Sequence, residues 1–388
     1  VMPAFEAVEA AIRPERLPDP HPLSTAFGET LPGAAPSPEA ESAGIFRVNM
    51  VMGRRNSAAD AFLRPAGDRV AVRTGREVAR ITLSEGRATG IETRDGARIA
   101  ARAGVILSAG AIETPMILMR SGLGPAATLR ARGIEVAREM DGVGANLHDH
   151  PAVALHHAGP GSGYGLTPAQ LPLWAFAPVD YALRGRGRLA SNTVEAGAFL
   201  ASGGTGAPDC QVHFIPCRIG HAGRAIVWGA GYTADVCVSR PASRGRLGMA
   251  GPFEPEIDLG LLSDPADLAT LRAGVRRLRA LLAAAPFGRR RAPEVFPGPE
   301  VAGDDALDTF IRARAGTSYH PVGSVRMGGA EAPVTAELAL RGTEALWVAD
   351  CSVMPAITSA NTNAPAMMIG WRAGEMVARA TREGRIAA

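Results

Sequence analysis

The sequence of 388 residues contains no lysine, so arginine supplies all 41 of its basic side chains. This absence excludes Schiff-base chemistry and any phosphate-binding loop that depends on a lysine. The formal net charge is only +3, and the arginines are spread along the chain. Such a weak and dispersed positive charge does not indicate a nucleic-acid or anionic-membrane surface. We therefore expect no nucleic-acid partner.

Cysteine is scarce, and the four cysteines (Cys210, Cys217, Cys237 and Cys351) form no C-x-x-C pair. This pattern favours small buried thiols in a reducing compartment rather than a disulfide framework. No apolar run reaches the roughly 18 residues that a membrane-spanning helix needs. No signal peptide is visible at the start of the sequence. These absences predict a cytoplasmic protein without a membrane span.

A glycine-rich dinucleotide turn, G-x-G-x-x-G, is also lacking. Gly142-x-Gly144 is followed by Leu147 where the third glycine would stand, and Gly161 to Gly165 is typical of a flexible loop. Such a turn normally holds a pyrophosphate at the start of a helix, directly after a strand. The sequence as given therefore carries no complete dinucleotide-binding unit of this kind.

The residues that are present predict two domains in a mixed helix and sheet protein. Short alternating segments separated by Gly86 and Asp95-Gly96 predict a β-meander. Gly104 to Leu107 is a continuous apolar run, typical of a strand buried on both faces, and Thr114-Pro115 predicts the start of the next helix. The predicted meander and nearby strand segments are Val70–Val72, Val78–Leu83, Ala88–Thr93 and Arg98–Ala101.

The region after Pro151 has a different pattern, with several strand-like segments followed by a long amphipathic helix. Four segments in it read as strands of an antiparallel sheet: Glu195–Leu200, Asp209–Pro216, Thr233–Arg240 and Arg246–Ala250. Asp264 and Pro265 mark the start of an amphipathic helix that ends before Pro286. One face of that helix carries Leu268, Leu271, Val275, Leu278 and Leu282.

The last third of the chain contains the strongest chemical signals. Leu346 to Ala349 reads as a short buried strand that ends at Asp350, the place where open α/β sheets contact ligands. Asn361 to Pro365 lies at the first turn of a predicted helix, whose free N–H groups favour an electron-rich ligand. Together with His320, an asparagine amide at one ligand edge would suit proton removal from an alcohol.

Five motifs in order along the chain resemble the glucose–methanol–choline (GMC) oxidoreductases, in particular their choline- and alcohol-dehydrogenase branch. The resemblance covers most of the chain. The motifs are Gly53-Arg54-Arg55-Asn56-Ser57-Ala58-Ala59, Val105 to Pro115 with Ser121 to Pro125, Gly142-Val143-Gly144-Ala145-Asn146-Leu147-His148-Asp149-His150, His320 to Gly328, and Leu346 to Pro355 with Asn361 to Pro365.

The resemblance implies a flavoprotein of the α/β class. A Rossmann-like FAD-binding domain would carry an inserted α+β substrate domain built on an antiparallel sheet. The implied reaction is oxidation of a primary or secondary alcohol to the carbonyl, with hydride transfer to FAD. The electron acceptor would be oxygen or a quinone, and the oligomeric state is left open.

The resemblance also assigns site residues. His320 would be the base for the substrate hydroxyl, and its ordinary pKa near 6.5 suits that role. Asn363 would hydrogen-bond the substrate oxygen, with Asn361 as the other possibility, and a helix-capping role is compatible with either. The residues expected beside FAD are Val78, Ala109, Gly110, Asp350, Cys351, Asn361, Asn363 and Pro365.

The resemblance predicts a division into residues 1–42 (helix and loop), 43–150 (part of the FAD domain), 151–309 (substrate domain) and 310–388 (the rest of the FAD domain). Family members begin with a βαβ unit that this sequence lacks, and that unit accounts for roughly 100 residues or more. We expect either a fragment or a naturally shortened protein. A sheet edge and apolar surface would then be exposed.

Several alternatives stay open at this stage. A remnant without FAD could bind a small molecule or a partner chain. The histidines between His148 and His157 suggest a metal site, although the family resemblance argues against one. Ser324 lies near His320 without the strand–turn–helix setting of a hydrolase nucleophile. Four aromatic residues are candidates for the substrate pocket or for ordinary core: Trp174, Phe176, Tyr181 and Tyr319.

Overall fold

The computed structural model describes residues 1–33, 35–219 and 227–382. Its helices are α1 (Met2–Ile12), α2 (Pro22–Gly28), α3 (Arg64–Ala66), α4 (Gly110–Arg120), α5 (Ala126–Ala131), α6 (Leu171–Arg184), α7 (Pro265–Ala283), α8 (Asp304–Arg314) and α9 (Asn363–Arg382). No helix within these ranges is both long and apolar enough to span a membrane.

The strands alternate with these helices along the chain. They are β1 (Glu15–Arg16), β2 (Ser42–Ile45), β3 (Arg47–Val48), β4 (Met50–Val51), β5 (Arg54–Arg55), β6 (Val78–Ser84), β7 (Arg87–Thr93), β8 (Arg98–Ala100), β9 (Val105–Leu107), β10 (Leu123–Gly124), β11 (Arg138–Glu139), β12 (Pro151–Ala158), β13 (Ala196–Leu200), β14 (Cys210–Ile215), β15 (Gly231–Val238), β16 (Arg246–Met249), β17 (Pro255–Asp258), β18 (Glu294–Phe296), β19 (Gly316–Thr317) and β20 (Leu346–Val348).

The largest sheet has seven strands in the order β18-β12-β15-β14-β13-β2, with β19 paired to β12. All of its pairings are antiparallel. Helix α7 covers it with the leucine and valine face predicted from the sequence, and all five of those side chains are buried. Asp264 caps the helix by accepting a hydrogen bond from the Ala266 N–H at 2.9 Å. The helix and three of the four predicted strands of the antiparallel sheet are thus confirmed. The fourth prediction, Arg246–Ala250, is wrong in its pairing: β16 pairs with β17 in a separate two-stranded sheet, because Leu247 and Met249 pack into a different core.

A second hydrophobic core gathers around β9 and β20, which pair in parallel with Trp347 opposite Ile106. The meander β6-β7-β8 packs at its side, and its first turn has positive φ at Glu85 and Gly86, which suits a two-residue hairpin. Ile106 on β9 is 45% exposed, so this part of the parallel sheet has an open apolar face. The predicted mixed α/β architecture is confirmed, including its antiparallel-sheet part.

Two further local predictions differ from the structure. Residues 70–72 form no strand and have no ladder partner among the described residues, and Val70 and Val72 are exposed. Helix α4 begins at Gly110 rather than Thr114, and Pro115 lies inside it. A proline there leaves the carbonyl of Ala111 without its helical donor. The hydroxyl of Ser324 donates to that carbonyl at 2.6 Å, which explains why the helix continues.

The division into domains stays a prediction. β2 belongs to the seven-stranded sheet, and residues between Leu17 and Met50 pack into its core. Leu247 and Met249 on β16 pack instead into the core around β9 and β20. The chain therefore passes between the two cores more than once.

Candidate active site

The loop that carries His320 is held by a buried carboxylate. Asp149 accepts hydrogen bonds from the backbone N–H groups of His150 at 2.6 Å and of His320 at 3.1 Å. The Thr317 hydroxyl also donates to it. Burial raises the pKa of the Asp149 carboxyl, and these donors oppose the rise. Asp149 therefore fixes the backbone of His320 at the end of the β12–β19 pair.

His320 presents its ring to a large cavity of about 1470 Å³. Its Nδ1 lies 3.2 Å from Nδ1 of His150, and its Nε2 lies 3.2 Å from the Asn361 amide nitrogen. Burial, together with the neighbouring His150 and His213, lowers the pKa of His320 to about 4. At neutral pH the imidazole is therefore uncharged and can accept a proton.

The two candidate asparagines have different neighbours. Asn361 places its amide nitrogen against His320, while its side-chain oxygen accepts from Gln211 Nε2 at 3.1 Å. Asn363 begins α9, and its side-chain oxygen accepts from Asn49 Nδ2 at 2.8 Å. Both residues line the cavity, but only Asn361 has a side-chain hydrogen bond with His320 among the bonds the structure describes.

A second imidazole lies in the same cavity. His213 on β14 and Asp235 on β15 are directly opposite in the ladder, and their side chains are 2.8 Å apart between Nδ1 and Oδ1. Burial opposes a charge on His213, but Asp235 outweighs it and raises the pKa of the imidazole. Nε2 of His213 is buried and has no hydrogen-bond partner within the described chain. This pair therefore places a second imidazole beside Asn361 in the wall of the cavity.

Asp350 joins the end of β20 to the start of α4. Its carboxylate accepts from the Gly110 N–H at 2.9 Å, the Thr114 hydroxyl at 2.6 Å and the Ser352 N–H at 2.8 Å. Asp350 is buried, so these three hydrogen bonds give it a structural role in the strand–helix junction. The junction lies at the carboxyl ends of β9 and β20, where parallel sheets bind ligands.

The residues predicted beside a cofactor do not all meet at one place. Ala109 and Gly110 form an open turn at the start of α4, where a Cβ on Gly110 would meet no atom within 4 Å. Val78 lies near the other end of this helix, where its carbonyl accepts from Arg120 at 3.4 Å. Pro365 is buried in the first turn of α9. The cofactor candidates thus extend along α4 and to the start of α9.

Cys351 follows Asp350 and begins a short helical turn, Cys351–Val353. Its carbonyl accepts from the Gly323 N–H at 3.1 Å, which ties this turn to the loop after His320. Burial, together with the neighbouring Asp350, raises the pKa of the Cys351 thiol to about 11. Cys351 is therefore a neutral thiol and not an activated nucleophile.

The histidines between His148 and His157, which the sequence suggests as a metal site, do not form one cluster. His156 Nδ1 lies 2.9 Å from the Thr233 hydroxyl, and His157 stacks on Tyr232. Within the described ranges, Asp149, His150 and His320 have possible ligand atoms within 4.8 Å of one another. Both oxygens of Asp149 and both nitrogens of each imidazole already have hydrogen-bond neighbours. A metal at this position would have to break several of those contacts.

Only two of the four aromatic candidates for the substrate pocket line the cavity. Tyr181 and Tyr319 line it, whereas Trp174 and Phe176 are not among its lining residues. Phe176 is 71% exposed on α6. Sequence reasoning missed the contributions of His213, Asp235 and Gln211, because their place in the site depends on strand register, which local sequence does not reveal.

Two family models match the chain, both described as GMC oxidoreductase. The N-terminal model matches residues 29–152, and the C-terminal model matches residues 241–370. These two stretches include the motifs around His148 and His320. They flank the central strands β13, β14 and β15 of the antiparallel sheet.

Curated relatives and solved structures agree with these matches. An alcohol dehydrogenase [acceptor] of Pseudomonas putida is 34% identical over 97% of this chain and 72% of its own length. An oxygen-dependent choline dehydrogenase of Brucella anthropi is 38% identical over 84% of this chain and 61% of its own length. Pyridoxine 4-oxidase from Mesorbium loti superposes with a TM-score of 0.80 at 27% identity, covering 94% of this chain and 71% of that one.

Both kinds of comparison leave a part of the relatives outside the match, since the chain spans only 61% of the choline dehydrogenase. The matched part nevertheless contains the parallel strand–helix junction, the antiparallel sheet and the His320 loop. The sequence identity, the family models and the fold therefore lead to one assignment, and this chain belongs to the GMC oxidoreductase family.

Proposed function

We propose that this chain carries the proton-accepting and substrate-binding residues of an FAD-dependent oxidoreductase that converts an alcohol to the carbonyl compound. The observation that carries the proposal is the half-buried, uncharged imidazole of His320 beside the Asn361 amide, at the wall of a large cavity. An acceptor and a donor at one position match the two needs of an alcohol oxygen that loses its proton.

FAD is the cofactor of the GMC family, and several residues of this chain are suited to contact part of the FAD molecule. The Ala109-Gly110 turn is open, lacks a Cβ at its second position and lies at the carboxyl ends of two parallel strands. We assign this turn and the start of α9 to contacts with the cofactor. Asp350 supports the turn through its bond to the Gly110 N–H. When bound, FAD would supply the hydride acceptor.

The protein's own contribution is the handling of one proton. A substrate hydroxyl in the cavity would donate to Nε2 of His320, so that the O–H bond breaks as the N–H bond forms. Asn361 can rotate little, because Gln211 holds its side-chain oxygen. Its amide would donate to the substrate oxygen while negative charge develops there.

The substrate would lie between His320, Asn361 and the His213–Asp235 pair. Names of relatives point to alcohols and choline as substrates of those proteins. For this chain we propose the coarser class of small primary or secondary alcohols. The cavity of about 1470 Å³ is large enough for a small alcohol together with part of a cofactor.

The test begins with purification of the chain and measurement of absorbance between roughly 350 and 500 nm, where oxidised flavin absorbs, with and without added FAD. Bound flavin in this absorbance measurement, together with turnover of alcohols monitored by reduction of an artificial electron acceptor, supports the proposal. His320→Asn should then lower kcat/KM by about 10²- to 10⁴-fold, as expected for loss of a general base.

Two controls separate loss of catalysis from loss of structure. Flavin content and thermal stability of His320→Asn should match the parent protein, because Asp149 holds the backbone N–H of residue 320 and not its ring. Full activity of His320→Asn in a flavin-loaded protein would reject His320 as the base. Absence of flavin after reconstitution would reject cofactor binding by this chain.

A further inference from the structure

His150 is a buried histidine that the proposed reaction does not use directly. Its Nε2 lies 2.9 Å from the backbone carbonyl of Thr358, and its Nδ1 lies 3.2 Å from Nδ1 of His320. The two rings meet edge to face, with centroids 5.4 Å apart and planes at 85°. Each nitrogen of His150 therefore has a hydrogen-bond neighbour, and the backbone of Ser239 also acts on the ring.

The Thr358 carbonyl determines where the protons lie. A carbonyl oxygen can only accept, so Nε2 of His150 must carry a hydrogen. Burial lowers the pKa of His150 to about 4, so the ring is neutral near pH 7 and its Nδ1 has a lone pair. Nδ1 of His320 must then donate to that lone pair, because one hydrogen is needed between the two nitrogens.

We infer that His150 is a positioning residue that holds His320 in the tautomer with its proton on Nδ1 and its lone pair on Nε2, facing Asn361 and the cavity. This inference rests on the proposed function, in which Nε2 of His320 accepts the hydroxyl proton. In free solution a histidine ring is not confined to this tautomer, so the protein has to impose it. The nitrogen of a neighbouring ring does this without introducing a charge.

The orientation of the asparagine agrees with this assignment. Gln211 Nε2 donates to the side-chain oxygen of Asn361, which places the Asn361 amide nitrogen toward His320. An amide nitrogen is a donor only, so it needs a lone pair on Nε2 of His320. The contact of Thr358 with His150 and the contact of Gln211 with Asn361 therefore indicate the same tautomer of His320, with its proton on Nδ1.

The backbone beside Thr358, whose carbonyl contacts His150, is held in place by another histidine, His148. His148 Nδ1 lies 2.7 Å from the Asn146 carbonyl, and its Nε2 accepts from the Ile357 N–H at 3.0 Å. These contacts need a neutral ring, and burial lowers the pKa of His148 to about 4. His148 thereby fixes the backbone one residue before Thr358, whose carbonyl sets the state of His150.

The tautomer can be observed without turnover. With eight histidines in the chain, the ring nitrogens can be resolved by ¹⁵N-histidine labelling and long-range ¹H–¹⁵N correlation, and His320→Asn assigns the signals. In the parent protein near pH 7, the signals of His320 should show a protonated Nδ1 and an unprotonated Nε2. A proton on Nε2 of His320 would overturn the inference.

Two substitutions test the part played by His150. His150→Leu removes the acceptor, and His320 should shift at least partly to the tautomer with its proton on Nε2. His150→Asn keeps an acceptor oxygen near the position of Nδ1, and it should restore the parent pattern in whole or in part. If His320 keeps its proton on Nδ1 in His150→Leu, then His150 does not impose the tautomer.

Kinetics in the flavin-loaded protein give a second readout. His150→Leu should lower kcat/KM by about 10²-fold or more, since an imidazole held in the wrong tautomer can cost on the order of 10⁴ in kcat. His150→Asn should recover much of that loss. Equal losses in both variants would count against a tautomer effect.

His157→Phe is the matched control. His157 is buried like His150, but it stacks on Tyr232 and its ring nitrogens have no hydrogen-bond partner in the part of the chain that the structure describes. Its replacement should leave the signals of His320 unchanged. If the parent protein shows the expected tautomer while His320→Asn remains fully active, the proposed function fails and the proton assignment stands.

Discussion

Asn361 and Asn363 are two residues apart in sequence and contact different parts of the molecule. The amide of Asn361 faces His320, and Gln211 holds its oxygen. Asn363 is bonded to Asn49, and this contact is exposed. The geometry therefore favours Asn361 over Asn363 as the partner of the substrate oxygen, a choice that the sequence alone left open.

Substitution of each asparagine by alanine separates their roles. Asn361→Ala should lower kcat on the order of 10²-fold, because it removes a fixed donor to the developing negative charge. Asn363→Ala should cost less than about tenfold, since an exposed hydrogen bond contributes only about 1 kcal/mol. Steady-state kinetics on flavin-loaded protein would measure both. The reverse order of effects would assign the role to Asn363.

The low pKa of His320 predicts the pH dependence of the reaction. The base must be unprotonated, so kcat/KM should stay constant from neutral pH downward and fall as the pH passes through about 4. An unperturbed histidine would produce this fall near 6.5. Burial of the ring is the main cause of the low value, His150 and His213 add to it, and Asp235 acts in the opposite direction. An NMR titration of the His320 ring in the free protein checks the value independently, and a midpoint near 6.5 would contradict it.

At the scale of elements, α4 depends on a hydroxyl from a distant loop. Pro115 leaves the Ala111 carbonyl unpaired within the helix, and the buried Ser324 hydroxyl donates to it. Ser324→Ala should destabilise the protein by about 1–3 kcal/mol, the usual cost of a buried unsatisfied polar group. Thermal or denaturant unfolding would measure this loss.

Ser352 provides the matched control for that substitution. It is as buried as Ser324 and lies beside it, since the Val325 N–H donates to the Ser352 carbonyl at 2.9 Å. Its hydroxyl has no hydrogen-bond partner in the described ranges. Ser352→Ala should therefore be close to neutral. Equal destabilisation by both alanines would indicate that lost packing, and not the hydrogen bond to α4, is responsible.

Elements with a strong local pattern could be predicted from the sequence, and contacts between them could not. The apolar face of α7, the β6–β7 turn at Gly86 and the strand before Asp350 are all encoded within a few neighbouring residues. Local sequence predicts the start of α4 at Thr114, four residues after its observed start at Gly110. Pro115 is accommodated inside the helix because Ser324, 209 residues further along the chain, donates to the Ala111 carbonyl. The sequence does not predict His213 as a site residue for the same reason, and it indicates His150 only through a family motif and a possible metal site.

At the scale of the whole molecule, acid should weaken the fold. Burial lowers the pKa to about 4 for five histidines: His21, His148, His150, His157 and His320. Unfolded histidines bind protons near pH 6.5, so the unfolded chain holds more protons between roughly pH 6.5 and 4. The free energy of unfolding therefore decreases as the pH falls through this window. His213 and Asp149, whose pKa values are raised, act in the opposite direction.

Melting temperatures measured from about pH 7.5 to 4.5 would test this expectation. The parent protein should lose stability mainly below pH 6.5. His157→Phe removes one of the five groups and should make the decline less steep. A melting temperature that stays constant across the window would contradict the expectation.

The contacts that build the site join residues far apart in sequence. His150 meets Thr358 across 208 positions, and Asn49 meets Asn363 across 314. Closing such long loops carries an entropy cost, so these pairs depend on the packed sheet and cores that bring their partners together. During synthesis, the Thr358 loop and α9 emerge after His150 and Asn49, the residues that they contact. Chains that have not yet added these segments therefore have no Thr358 carbonyl to hold His150, and their site is incomplete.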